Sequence, residues 1–125
     1  MIRTIAITTF AIMVSPAFAN SNCDKPRDDF DGLYCLNKVY LEADKELNDI
    51  YKNLNAKLDS SGKSLLKRGQ LAWIDDRNRH CSQRDANGFW VNLNCSTRTT
   101  IDRAQILRDR LRECASSGCM NSRLQ

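Results

Sequence analysis

Six cysteines, at positions 23, 35, 81, 95, 114 and 119, constrain this chain more than any other feature. They stand behind "MIRTIAITTFAIMVSPAFA". Within it Arg3 gives a basic start, Ile5 to Val14 an apolar run, and Ala17 and Ala19 an A-x-A pattern. This is the arrangement of a secretory signal peptide, residues 1–19, with cleavage expected after Ala19. The apolar run is too short for a permanent span. Asn20 follows where a lipoprotein would carry a cysteine, so no membrane anchor is expected after cleavage. An even cysteine set in an exported chain predicts three disulfides, formed in a bacterial periplasm or after secretion. Residues 20–125 make one domain, small enough for such bonds to supply much of its stability.

Apolar residues recur at helical spacing in three stretches. Leu33, Tyr40, Asp44, Leu47, Tyr51, Leu54 and Leu58 share one sector of a helical wheel, with Leu36 and Ala43 on its edge. The spacing predicts a helix over about 30–58, with Asp28 and Asp29 as cap candidates. "DSSGK" interrupts the pattern, and a second helix is expected from about Ser64 to Cys81. "SQRDANGFWVN" reads as a loop with Asn87-Gly88 as its turn pair. A third helix is expected over 96–113, with Ser96, Thr97 or Thr99 as its N-cap. No run alternates like a strand. The expected fold is all-α: an antiparallel three-helix bundle stapled by disulfides.

That topology sorts the cysteines by pole. Cys114 and Cys119 lie at one end and are each other's expected partners. Cys23, Cys35, Cys81 and Cys95 lie at the other, where three pairings are open. Cys23–Cys81 with Cys35–Cys95 is the one preferred here.

Little points to catalysis or to a cofactor. The closest cysteine pair, Cys114-x4-Cys119, and the single histidine, His80, do not make a zinc pattern. His80 and Cys81 are adjacent, so they point about 100° apart on a helix and do not form a nucleophilic pair. Asp75 and Asp76 fall on a solvated face beside Arg79. No two carboxylates face each other as a glycosidase requires. No enzyme activity, metal or cofactor is expected.

The inner faces carry unusual polar residues. Asp44 lies in the first helix's sector, Gln70, Trp73 and Arg77 in the second's, Thr100 and Arg103 in the third's. Buried charge is costly unless paired. The expected arrangement is a polar layer in which Asp44 pairs with Arg77 or Arg103, Gln70 and Thr100 complete hydrogen bonds, and Trp73 packs beside them.

The same residues carry a family resemblance. Tyr40, Asp44, Leu47, Asn48 and Tyr51 match one motif. Gln70, Trp73, Arg77 and Cys81 match Gln-x-x-Trp-x-x-x-Arg-x-x-x-Cys. Cys95, Thr100, Arg103 and Leu107 match a Cys followed by Thr-x-x-Arg-x-x-x-Leu. Together they resemble the LprI-type lysozyme inhibitor family, over nearly all of residues 20–125. The resemblance implies an exported, disulfide-bonded helical protein with a protein partner, a lysozyme or another muramidase. Peptidoglycan is the alternative ligand, for a non-inhibitory envelope protein.

Two surfaces are candidates for the partner. Residues 20–62 carry a formal charge of −3 and residues 63–125 one of +6, so the chain is dipolar. Nucleic acid is not expected as a partner of such an exported chain. The acidic start, with Asp28, Asp29 and Asp31, suits a basic enzyme. In the loop, Phe89 and Trp90 are aromatic anchors. The competing expectation for both is a cap over the disulfide pole.

Overall fold

A computed structural model of the protein describes Cys23 and residues 25–125. The expected signal peptide, 1–19, lies outside the described residues.

Helix α1 runs Asp29–Lys57. Asp28 caps it in extended backbone, its carboxylate accepting the Asp31 N–H at 2.9 Å. Asp29 and Asp31 fill the first turn and Lys57 the last, each matching the helix dipole. Arg27 clasps Asp31, with Nε 2.6 Å from Oδ2, and fixes the lead-in.

Helix α2, Ser60–Cys81, begins four residues before the position expected at Ser64. "DSSGK" is a helix start rather than a break. The Asp59 carboxylate accepts the Gly62 N–H at 2.7 Å and an Asn121 side-chain N–H at 3.3 Å. These bonds, the Gly62 one foremost, hold the Asp59 carboxyl below the usual carboxylate range. A carboxyl whose pKa falls on folding adds stability above its unfolded pKa and loses it as pH drops through the folded value. Asp59→Ala is therefore expected to lower the melting temperature at neutral pH. The gap to the parent should close as pH falls below about 4. Circular dichroism melts across that range check it; a gap unchanged in acid contradicts the capping role.

The segment expected as a loop is a hairpin. Strands β1, Ser82–Asp85, and β2, Gly88–Val91, pair antiparallel with Gln83 opposite Trp90 and Arg84 opposite Phe89. The turn sits one residue earlier than the Asn87-Gly88 pair predicts. Its carboxylate anchor is Asp85, which accepts the N–H groups of Asn87 and Gly88 at 2.8 and 3.1 Å. The fold is thus mostly helical with a small two-stranded sheet, not purely α.

Helix α3 runs Leu93–Ser116, three residues beyond the expected range at each end. Its N-cap is Asn92, whose side chain accepts the Cys95 N–H at 2.9 Å. Ser96 and Thr97, cap candidates by sequence, are instead buried within the helix. Past the C-cap at Ser117, Gly118 turns the chain at φ +94°. A short 3-10 turn, Asn121–Arg123, then returns Leu124 to the interior.

Three disulfides join Cys23–Cys35, Cys81–Cys95 and Cys114–Cys119. The preferred pairing of the first four, Cys23–Cys81 with Cys35–Cys95, is corrected. The hairpin brings the chain straight back from Cys81 to Cys95, and the Asn92 N–H reaches the Cys81 carbonyl at 2.8 Å. Each cysteine bonds its neighbour in the chain.

The core gathers Leu47, Ile50, Leu54 and Leu58 of α1, Leu66 of α2, Ala104 and Leu107 of α3, and Leu124. Helix α1 packs chiefly on α3, and an Arg108–Glu46 ion pair crosses that seam. At Gly69 the closing residues press on α2: a Cβ there would stand 2.8 Å from the Leu124 carbonyl oxygen. Among the described residues no helix is long and apolar enough to cross a membrane.

Candidate functional site

The polar inner residues divide into separate groups. Arg103, 6% exposed, donates from Nε to the Gln70 side-chain carbonyl at 3.1 Å. Its Nη2 is buried and meets no acceptor among the described residues. Burial pushes the Arg103 guanidinium below its ordinary pKa, because the charged form loses hydration. Thr100, fully buried, likewise has no partner for its hydroxyl among the described residues.

Arg77 stands apart, half-buried. Its guanidinium carbon lies 4.9 Å from the centre of the Trp73 ring and 5.9 Å from that of Tyr40. Such distances allow cation–π attraction. Asn78 accepts from Arg77 Nη2 at 3.1 Å. Asp44, also half-buried, accepts from the Asn48 side chain at 3.0 Å, one turn on in the same helix. No ion pair joins Asp44 to Arg77 or Arg103 among the described residues.

The Arg77 group opens on a groove of about 600 Å³, lined by Tyr40, Arg77, Phe89, Val91 and Leu93 among others. Strand alternation makes this groove. Phe89 and Val91 share one face of β2, and Trp90 turns to the other. Trp90 lines a second hollow with His80 and Gln83. Phe89 is 56% exposed and Trp90 53%, so neither caps the disulfide pole. Arg84 holds its guanidinium 5.1 Å from the Phe89 ring centre. The Cys81–Cys95 bond closes the base of the hairpin.

The first turns of α1 extend this surface. Phe30, Leu33, Tyr34 and Leu41 are all exposed. With Asn37 they follow helical spacing along one stripe. Leu33 and Leu36, read by sequence as inward or edge positions, are exposed. Helix α1 has 29 residues against 22 in α2, about two more turns, and the leucine core begins only at Leu47. Sequence reasoning missed Phe30, Tyr34 and Val91; the 30-33-34-37-41 spacing was the available signal for the first two.

Asp28, Asp29 and Asp31 stand at the head of that stripe. Asp28 is committed to the cap and Asp31 to Arg27, whose hydrogen bond holds the Asp31 carboxyl below its usual range. Asp29 is exposed in the first turn.

A third hollow, about 640 Å³, lies between α2, α3 and the closing residues. Arg68, Gly69, Trp73, Arg79 and Arg103 contribute to its lining, with the acid Asp76 and the last residue, Gln125, whose α-carboxylate is a second negative group. No group of three His, Cys, Asp or Glu residues is placed to hold a metal among the described residues.

A family model described as "Lysozyme inhibitor LprI" matches residues 23–107. That span includes the polar inner groups, the hairpin and two of the three disulfides. No curated protein and no solved structure matches the chain.

Proposed function

The chain belongs to the LprI lysozyme inhibitor family, and from that premise we propose that it is an exported periplasmic protein that blocks a peptidoglycan-cleaving enzyme by direct contact. In this reading the leader is removed after Ala19, and the three helices run up, down and up. The inhibitory face is the hairpin with the first turns of α1.

One observation carries the assignment of the face: Phe89 and Trp90, 56% and 53% exposed, sit on a hairpin closed at its base by a disulfide. Aromatic anchors held in one conformation lose little entropy on docking. Glycosidases of this class flank the scissile bond with two carboxylates. Arg84, stacked on Phe89 near the hairpin tip, supplies the complementary charge. Asp28, Asp29 and Asp31 place negative charge near the head of the exposed stripe, which favours encounter with a basic enzyme.

Titration into lysis assays with several muramidases tests the reading. Stoichiometric loss of lysis is expected for at least one of them. Phe89→Ala and Trp90→Ala should each weaken inhibition about 30-fold, the effect of losing an anchor worth roughly 2 kcal/mol. Their melting temperatures should stay near the parent's, as for exposed positions. Retention on isolated cell wall with no effect on any muramidase would instead favour a non-inhibitory envelope protein that binds peptidoglycan.

A further inference from the structure

We propose that the hollow between α2, α3 and the closing residues is a binding site for a small carboxylate-bearing ligand, with Arg103 at its floor and Trp73 as its wall. The inhibitory reading does not bear on this site. The hollow shares no lining residue with the hairpin groove.

The strongest observation is Arg103 itself. It is 6% exposed and lines the hollow, with its Nε taken by Gln70 and its Nη2 buried without an acceptor among the described residues. A buried cationic N–H left unpaired costs more than almost any other polar group. A ligand carboxylate in the hollow gives the Arg103 guanidinium the counter-charge that no ion pair among the described residues supplies. Gln70 has the further effect of fixing the guanidinium plane, so its orientation is set before a ligand arrives.

The surroundings select the ligand. Three arginines, Arg68, Arg79 and Arg103, face two negative groups across the lining, Asp76 and the α-carboxylate of Gln125, which leaves one positive charge in excess. Arg79 is already engaged by Asp75 and Asp76, at 3.1 and 3.4 Å. Arg68 has no ion pair among the described residues and stands exposed at the rim. The remaining charge suits a monoanion. Asp76 disfavours a more highly charged one. A planar carboxylate matches the guanidinium edge in shape. Trp73 adds a flat apolar surface for the body of the ligand, and the volume of about 640 Å³ is that of an ordinary small-molecule pocket. Gly69 matters for the enclosure, since any side chain there would push the closing residues off α2. The two chemical sources are the terminal carboxylate of a short peptide and the carboxylate of an acidic amino sugar.

Tryptophan fluorescence of a Trp90→Phe variant reads the site, because Trp73 is then the one indole left. N-acetyl-alanine and N-acetylmuramic acid represent the two sources. N-acetyl-alanine amide is the uncharged control, and inorganic phosphate the other class of anion. Saturable binding of at least one carboxylate is expected, with the amide about tenfold weaker or more. Which acid binds tighter identifies the source. Arg103→Gln should abolish the preference for acid over amide. Because Arg103→Gln risks misfolding, Arg68→Gln, an exposed change, is measured beside it and should weaken the acid alone. Equal binding of acid and amide, no binding of either acid, tighter binding of phosphate, or acid binding untouched by both arginine variants would overturn the assignment.

Discussion

A variant lacking the Cys81–Cys95 bond, made as Cys81→Ser with Cys95→Ser, is expected to lose about 3 kcal/mol of stability, the chain-entropy value for a loop of this length. It should also lose more inhibitory potency than its stability alone explains. The bond joins residues 14 apart and encloses the whole hairpin. Without it, the exposed aromatics Phe89 and Trp90 hang from two ladder strands of four residues each. A two-stranded ribbon has marginal stability in water by itself, so the anchors would sample many positions before docking. The control is Cys114→Ser with Cys119→Ser. That bond spans 5 residues at the other end of α3 and should be worth about 2 kcal/mol on the same entropy scale, with inhibition intact. Urea melts and inhibition titrations on both variants separate the two effects. Equal loss of potency in the two would mean that the hairpin is not the contact.

Leu107→Ala is expected to cost about 2–5 kcal/mol, the range for emptying a core leucine site. Leu107 is 1% exposed and belongs to the cluster that joins all three helices to Leu124. Its neighbour Ile106 is 49% exposed, so Ile106→Ala should fall within about 0.5 kcal/mol of the parent. Denaturant unfolding of the pair reads the contrast directly. Similar losses at both positions would contradict the placement of α3.

The interior was legible where periodicity met a partner. Leu47, Leu54, Leu66 and Leu107 lie on the faces that the helical wheel gives, because helices of this amphipathic kind have one way to hide them. Gln70, Thr100 and Arg103 were also readable as inward positions. What a wheel does not show is how far a neighbouring helix extends. Leu33 keeps the spacing of a core residue, yet stands in solvent at 56% exposure because no second layer covers it. Asp44 was matched by sequence to a distant arginine, but Asn48, one turn away, satisfies it locally. Local bonds of this kind form at little entropic cost and outcompete remote ones.

The hairpin was hidden for another reason. Four-residue strands give too few alternations to stand out, and its turn is stabilised by the Asp85 carboxylate rather than by the Asn-Gly pair alone. Missing the hairpin also obscured the cysteine pairing. A floppy 82–92 segment leaves Cys81 and Cys95 no nearer each other than to the other two, whereas a tight ribbon delivers them together. The caps Asp59 and Asn92 were overlooked because serines and threonines nearby offered equally good capping chemistry.

The connectivity of the three disulfides bears on how such a chain matures. Six thiols admit fifteen complete pairings, and this one is the strictly consecutive set. A polypeptide threading from its amino end into an oxidising space presents every thiol with its proper mate as the next to emerge. Under the proposed export, a fast, unselective oxidant acting on the nascent strand is expected to favour these bonds without a reshuffling catalyst.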